Sequence, residues 1–471
     1  MSTPPTSFPP AGGYQTNAVA TDVKQASDGT QARLAGRVLL WRVMGGLLFA
    51  TLIDRSGTVQ ISLRRDEVGE ERFVTWSEGV RRGDFIGVSG EKYVTRKGEP
   101  TLAVAELEIL NRAQRPLPDK WVGVSNPEVR YRRRYLDLLG NPESRGRFEA
   151  RSRLITAIRN FLDELDFLEI ETPILQHAAS GAAARPFITH HNALNEDFYL
   201  RIAPETYLKR AVAGGMERVY ELGRLFRNEG MDSSHLQEFT SLEWYAAYWD
   251  YRDNMRVVRD MILNVMEKAL GTTKITYQGV VLDFGAEWPE VDFREAVFDH
   301  TGIDLTTVRD VATLRERIRE TYPNSDIPEA PSYAAMADTL YKRTVRPTLI
   351  QPCFLVHHPV ELAPLARRSD NDPTRVDMFQ VVVNTWELVK GYSELVDPVD
   401  QRNRFIEQQQ MQAAGDEETM MIEEDFIEAM EFGMPPMSGI GIGIDRLTAL
   451  LTDAPNLRDV VLFPSMRREN D

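Results

Sequence analysis

Residues 221–248, ELGRLFRNEGMDSSHLQEFTSLEWYAAY, carry the pattern that decides the fold. Read with a period of two, Gly223, Leu225, Arg227 and Glu229 share one face of a first strand-like run, and Phe239, Ser241, Glu243 and Tyr245 share one face of a second. The stretch from Gly230 to Ser234 supplies turn residues, so the runs read as an antiparallel hairpin. Its surface displays a guanidinium, carboxylates and a flat ring, with His235 near the turn, which suits a ligand that is anionic, planar and amine-bearing. Taken alone, the same residues also fit an ordinary half-buried strand pair with satisfied ion pairs.

Working outward, SGIGIGIDRLTALL alternates Gly439, Gly441 and Gly443 with Ile440, Ile442 and Ile444 before Asp445 and Arg446 open a helix. Alternation places the glycines on one face as a flat strip for a planar ligand, while the isoleucines face a core. Arg446 at the helix start suits phosphate oxygens. The spacing is not a dinucleotide-binding fingerprint, and no P-loop sequence occurs anywhere in the chain. A third group, WELVKGYSELVDP, sets Glu387 and Glu394 about Gly391 and Tyr392; paired carboxylates hold either Mg²⁺ or an ammonium group. RIAPETYLKR adds Glu205 beside Pro204.

The 471 residues leave room for two or three domains. No run approaches the ~18 apolar residues of a membrane span, and MSTPPTSFPPAGG lacks a signal peptide's basic and apolar regions. A cytoplasmic protein without a membrane partner is expected. The single Cys353 excludes an intramolecular disulfide and a cysteine-rich zinc site. Adjacent His357 and His358 lack helical ligand spacing and read as non-metal. A net charge of −16 argues against non-specific coating of nucleic acid, although Arg130, Arg132, Arg133 and Arg134 are candidates for a local basic surface.

Residues 1–30 are expected to form a disordered tail. Over 31–112, short alternating runs punctuated by Gly and Asp fit a β-barrel of about five strands. Residues 113–146, including the Pro-rich QRPLPDKWVGVSNPE, read as a linker, and a long amphipathic helix opens at about Arg147. Strands and helices then follow without strict alternation, so 147–471 is expected to be an α+β domain with an antiparallel sheet flanked by helices. Within it, 292–345 is helical and charged and reads as an insertion.

The runs FLEIETPIL, FRNEG…H…EFTSLEWY and GIGIDRLTALL, in this order, resemble the three signature motifs of class II aminoacyl-tRNA synthetases. GAAARPFITHHNAL, RYRRRYLDL, RPLPDK, LRIAPETYLKR, PLARR and LRDVVLFPSMR are similar to the bacterial type of lysyl-tRNA synthetase, and the resemblance covers about residues 33 to 468. The class I signatures HIGH and KMSKS are absent. The resemblance implies an OB-fold anticodon-binding domain followed by a class II catalytic domain, with ATP, Mg²⁺, L-lysine and tRNA(Lys) as ligands and a homodimer supported by Pro173.

By the same resemblance, Arg227 and Arg446 are catalytic and bind ATP, with Glu229, His235, Phe239, Glu387 and Gly443 also on the ATP side. Gly181, Glu205, Glu243, Tyr245, Lys390 and Glu394 fall on the amino-acid side, and Glu387 and Gln380 on the metal. Arg37, Phe49, Gln60 and Glu106 fall on the anticodon; without the family, Phe49 would read as a core aromatic. The chain departs from the family at Leu236 and Lys390, where asparagines are usual, at Gln380, where a second metal-binding glutamate is usual, and at Val389 and Val396. Besides lysine charging, these departures leave two readings: a paralogue charging a lysine-like substrate, and a catalytically weakened RNA-binding module.

Overall fold

The computed structural model describes residues 13–117, 126–182, 184–230, 232–323, 327–413 and 420–468. The chain divides into two compact units, Met1–Trp121 and Val122–Asp471.

In the first unit, β1 (Gln31–Met44), β2 (Leu47–Asp54), β3 (Gly57–Arg64), β4 (Phe85–Val94) and β5 (Pro100–Asn111) close a barrel in the order β1-β2-β3-β5-β4. Alternating residues such as Leu48, Ala50, Leu52, Val59 and Ile61 fill its interior, as period two requires. Residues 1–12 of the expected tail lie outside the described residues. The expected disorder does not extend through residue 30: Ala20–Gln25 form helix α1, with Ala20 and Val23 buried in the barrel core. The Ala20 N–H donates to Asp54 Oδ2 at 2.6 Å. Two small apolar side chains one turn apart suffice to dock so short a helix.

In the second unit, part of the expected linker is also helical: Pro127–Arg132 and Arg134–Gly140 precede the long helix α2 (Pro142–Asp163). That helix starts ahead of Arg147 because Asn141 caps it, its side chain accepting from the N–H groups of Glu143 and Ser144. The arginine run is not a basic surface. Arg134 is fully buried and donates to Asp137 at 2.7 Å and to the carbonyls of Arg458 and Leu462, while Arg130 reaches Asp137 and Ser144 and Arg132 reaches the Arg467 carbonyl. Of the four, only Arg133 is exposed. Asp137 and the carbonyls of the C-terminal turns hold the charge that the sequence suggested was free.

An eight-stranded sheet forms the centre of this unit. Its strands are β6 (Leu168–Glu169), β7 (Arg218–Phe226), β8 (Glu238–Ala247), β9 (Glu290–Asp292), β10 (Cys353–Val356), β11 (Met378–Val383), β12 (Trp386–Ser393) and β13 (Met437–Gly443), in the order β9-β10-β11-β12-β13-β8-β7-β6. From β10 to β7 every pairing is antiparallel, whereas the edge pairs β9·β10 and β6·β7 are parallel, so the sheet is mixed rather than wholly antiparallel. One face packs on α2 and on α4 (Tyr251–Leu270), with α3 (Glu205–Ala213) lying between them in sequence. Leu242, Trp244, Ala246, Ile440 and Ile442 point into that core. Trp244 Nε1 donates to Asn254 at 2.8 Å, Asn254 to Ser438 at 2.7 Å, and Ser438 to the Tyr392 carbonyl at 2.8 Å, so the polar groups under the sheet are paired. The opposite face therefore receives Ser241, Glu243, Tyr245 and the three glycines. Residues 293–344 hold three helices around a core of their own, centred on Phe293, Leu314 and Leu340.

Candidate active site

The hairpin strands β7 and β8 pair as the alternation requires, with Glu221 opposite Glu243, Gly223 opposite Ser241 and Leu225 opposite Phe239. They end at Phe226 and resume at Glu238, so Arg227 and Glu229 lie on the connecting loop rather than in a strand. That loop is longer than the Gly230–Ser234 turn, and the Arg227 N–H donates to the Gln237 carbonyl at 2.9 Å to extend the ladder. On the other side β8 pairs with β13, which sets Glu243 opposite Gly441, Tyr245 opposite Gly439 and Ser241 opposite Gly443. β12 completes the row, with Lys390 opposite Gly441 and Tyr392 opposite Gly439.

The result is a cavity of about 500 Å³ above a glycine floor, lined by Gly181, Glu205, Arg227, Glu229, His235, Phe239, Glu243, Tyr245, Gln380, Glu387, Lys390, Gly443 and Arg446. Residues spread over more than 260 positions of sequence thus meet in one place. The Arg227 guanidinium lies 5.2 Å from the centroid of the Phe239 ring, and its Nε has no hydrogen-bond partner among the described residues. Burial pulls its pKa below the ordinary arginine value, although it remains charged at neutral pH. Arg446 follows β13 on the helix Ile444–Leu451, and its Nη1 donates to the Glu387 carbonyl at 3.3 Å. Neither guanidinium has a carboxylate ion-pair partner among the described residues, so both are free to meet an anion. His235 is exposed and bonded through Nδ1 to Asp232 at 2.8 Å, and Glu229 is exposed at the rim.

At the other end of the floor the charge reverses. Glu205, Glu243 and Glu394 are 6%, 8% and 2% exposed, and Tyr245 and Tyr392 stand among them. Tyr392 donates to Glu205 Oε1 at 2.7 Å, and Tyr245 to Glu243 Oε2 at 3.3 Å. Burial, aggravated by the Glu205 charge, pushes the Glu243 carboxyl up to about 8. Glu394 is also pushed well above the carboxylate range by burial, against the opposing pull of Lys209. Its Oε1 has no hydrogen-bond donor among the described residues, which leaves it available to a cation.

Gly439 is required by close approach, since a Cβ there would stand 2.2 Å from Tyr245 Cε1 and 2.7 Å from Glu394 Oε1. Gly439→Ala is expected to displace the Tyr245 ring and destabilise the protein by about 2 kcal/mol, read as a lower midpoint in chemical denaturation. A Cβ on Gly441 meets nothing nearer than 3.7 Å, so Gly441→Ala is expected to leave that midpoint nearly unchanged.

Several supporting residues escaped the sequence reading. Asp445 accepts the Thr240 N–H at 2.8 Å and pairs with Arg151 of α2 at 2.6 Å, locking the hairpin to the start of the Arg446 helix. Glu221 accepts from Thr172 at 2.7 Å and pairs with buried Arg201, joining the FLEIETPIL segment to the hairpin. A signal for this pair existed, because two glutamates directly opposed across the hairpin demand a counter-ion. Leu236 packs beside Ala449, Ala454, Leu457 and Val460, and the Leu457 N–H donates to the Ser233 carbonyl at 3.0 Å. An apolar residue at that position therefore anchors the loop that carries His235.

The segment with most departures from the family pattern is also well placed. Gln380 lies opposite Lys390, and its Nε2 donates to Glu387 Oε2 at 2.9 Å. Lys390 is half-buried with no ion-pair partner among the described residues. Nearby His358 is 2% exposed, and burial together with the Lys390 charge lowers its pKa to about 3, leaving it neutral. His357 instead bonds Asp292 at 2.8 Å.

On the barrel, Phe49 lies between buried Leu48 and Ala50 and is half-exposed on the outer face, so it is not the core aromatic that the residue alone suggests. Gln60, opposite Thr51, and Arg37, opposite Ile53, share that outer face. Gln60 donates to Thr101 at 2.8 Å, and Arg37 stacks 4.5 Å from the Phe85 ring centroid. Glu106 is less closely grouped. It lies three residues beyond the row Phe49–Ser62–Ala103, paired with Arg72 at 2.8 Å.

This arrangement agrees with the similarity of the chain to known proteins. Residues 126–467 match the family of tRNA synthetases class II (D, K and N), and residues 32–110 match the OB-fold nucleic acid binding domain. The lysine–tRNA ligase of Synechococcus sp. is 47% identical over 95% of this chain and 91% of its own length. Those of Pelotomaculum thermopropionicum and Enterococcus faecalis are each 46% identical, over 92% and 93% of this chain and 86% and 87% of their own. With the second and third motif segments lining one cavity, the first tied to them through Thr172 and Glu221, and the match running through both units, the chain belongs to the class II tRNA synthetases of the D, K and N group.

Proposed function

We propose that the protein activates L-lysine with ATP and transfers the lysyl group to the 3′ end of tRNA(Lys), in the cytoplasm. The observation that carries this reading is the polarity of the cavity: two arginines without carboxylate partners at one end and, at the other, buried Glu205 and Glu243, with Glu394 behind them against Lys209. Lysine has a carboxylate and two ammonium groups, and an extended lysine laid across Gly441 would send its carboxylate toward Arg227, its α-ammonium toward Glu243 and its ε-ammonium toward Glu205 and Glu394.

No general base is needed, because the lysine carboxylate is already a nucleophile. It attacks the α-phosphate, the bond to the β-phosphate oxygen breaks, and pyrophosphate leaves. Arg227 holds carboxylate and α-phosphate in line and Arg446 offsets charge on the departing phosphates, so positioning and electrostatics supply the rate. Phe239 and Arg227 offer the adenine a stacking surface, with His235 and Glu229 at the rim. In the second step a tRNA 3′ ribose hydroxyl attacks the lysyl carbonyl and AMP leaves.

The donor set suits Mg²⁺ only modestly. Among the described residues no cluster of three or more metal-type side chains occurs, and the Gln380 amide already donates to Glu387. Glu387 therefore fits Mg²⁺ as a single protein carboxylate beside ATP oxygens and water, with Gln380 adding at most a neutral oxygen. Bound there, the ion would offset charge on the triphosphate.

The outer face of the barrel, with Phe49 for stacking and Arg37, Gln60 and Glu106 for base edges, is proposed as the anticodon reader. Exposed Leu168, Ile174 and Leu175 around Pro173 support self-association as a homodimer, to be checked by sedimentation. No helix among the described residues is long and apolar enough to cross a membrane.

Lysine-dependent ATP–pyrophosphate exchange tests the reading: exchange with lysine, absent with uncharged amino acids, is expected, and no exchange with lysine would refute it. Two predictions add detail. Glu243 keeps its proton up to about pH 8 when the site is empty, so lysine binding near pH 7 is expected to release a proton and to strengthen as pH rises toward 8. Without ligand the sign for stability is opposite: the unfolded chain loses this proton in the ordinary carboxylate range, so stability falls as pH rises from there to about 8. Calorimetry in buffers of different ionisation enthalpy checks the first, and melting of the ligand-free protein against pH the second.

Lys390 lies two strand spacings from Glu243, roughly 10 Å. At that range it repels an α-ammonium only weakly. Lys390→Asn is therefore expected to change KM for lysine by less than about threefold. A large gain in lysine affinity would instead mean that the natural substrate differs from lysine.

A further inference from the structure

Beneath the glutamates lies a cation that the proposed reaction does not use. Lys209, on α3, is fully buried. Its Nζ is 2.6 Å from Glu205 Oε1, one helical turn away, and also pairs with Glu394 from β12's C-terminal end. The rings of Tyr245, Tyr392 and Phe426 surround it, with centroids 5.8, 5.7 and 5.8 Å from Nζ. The chain thus keeps an ε-ammonium of its own against the two carboxylates that, in the reading above, receive the ε-ammonium of the substrate.

We propose that Lys209 is a resident counter-cation that sets the charge balance of the amino-acid pocket, making a dicationic amino acid the ligand that brings the buried groups to neutrality. This rests on the reading of Glu205, Glu243 and Glu394 as lysine-binding. Ionised, those glutamates carry three negative charges, and Lys209 offsets one. The neighbouring Glu221 is already paired with Arg201, so it leaves the balance unchanged. Two negative charges remain, matching the α- and ε-ammonium groups of lysine, while the substrate carboxylate goes to Arg227. An amino acid with an uncharged side chain leaves one buried carboxylate without a cation, so that acid keeps its proton and the ligand forgoes an ion pair.

In the empty pocket burial holds Glu394 well above the carboxylate range despite Lys209, so the carboxylates ionise together only as the ammonium groups of the ligand enter. Lys209 opposes that protonation, and without it Glu205 and Glu394 would behave as a like-charge pair in which one acid holds its proton more firmly still. A protonated acid offers a substrate ammonium one acceptor fewer. Lys209 is accordingly a positioning residue and not a catalytic one: it shapes the carboxylates, and the carboxylates hold the ligand.

A charge-compensation cycle tests this, using the full chain and ATP–pyrophosphate exchange at varied lysine. Lys209→Met leaves an excess negative charge and Glu394→Gln an excess positive one once lysine is bound; each is expected to raise KM for lysine about 100-fold with kcat within about threefold. The double variant restores the balance, and its KM is expected to fall at least about tenfold below that of Glu394→Gln. This comparison stands even where Lys209→Met alone fails to fold, because the double variant carries the same net pocket charge as the unaltered protein. A double variant no better than Glu394→Gln, or a kcat that falls in step with the rise in KM, would overturn the counter-cation. Absence of lysine-dependent exchange in the unaltered protein would overturn the reading of the site as well, whereas normal exchange with a failed cycle would overturn Lys209 alone.

Discussion

Arg227→Ala is expected to lower lysine-dependent ATP–pyrophosphate exchange by about 10³-fold or more while leaving tRNA binding nearly intact. The guanidinium is fixed by its stacking over Phe239 and by the backbone bond from its own N–H to Gln237, and it has no carboxylate partner to release first. It is therefore available to bridge the nucleophilic carboxylate and the α-phosphate, two anions that repel each other until a cation lies between them. Removing it withdraws charge neutralisation and alignment together, and Arg446 is engaged with the Glu387 carbonyl. The anticodon reader lies in a separate compact unit, so tRNA affinity, measured by filter binding, is expected to change by less than about threefold. Exchange that survived the substitution would remove Arg227 from the centre of the chemistry.

Glu205→Gln is expected to raise KM for lysine about 100-fold and to erode discrimination against uncharged amino acids. Glu205 accepts from Tyr392 at 2.7 Å and from Lys209 at 2.6 Å, at the N-terminal turn of α3, where the helix dipole favours a negative charge. Neutralising it leaves Lys209 sharing one carboxylate with the incoming ε-ammonium, so two cations compete for Glu394. The ATP side is untouched, so KM for ATP is expected to stay within about twofold. Exchange assays with lysine and norleucine check both halves, and an unchanged lysine KM would place the ε-ammonium elsewhere.

The legibility of the site varied with the range over which its causes act. The hairpin was readable because alternation within 221–248 fixes which side chains share a face, and the register Glu221–Glu243 to Leu225–Phe239 follows from it. The glycine strip was readable for the same reason. The tail and linker were misread because polar, Pro-rich composition masks short helices such as Ala20–Gln25, whose stability comes from a barrel surface distant in sequence. The arginine run was misread as a surface because only the fold brings Asp137 and the C-terminal carbonyls to Arg134. Lys209 passed as one more residue of LKR, for nothing local tells a buried lysine from a solvated one.

By itself, then, the sequence determined the barrel, the hairpin, the glycine floor and the family, all of which rest on local periodicity or on matching motifs. Tertiary structure alone decided how the charges are shared. Lys209 faces Glu394 across 185 positions of sequence and Asp445 faces Arg151 across 294, and a buried charge acquires its meaning only from the partner that folding places beside it.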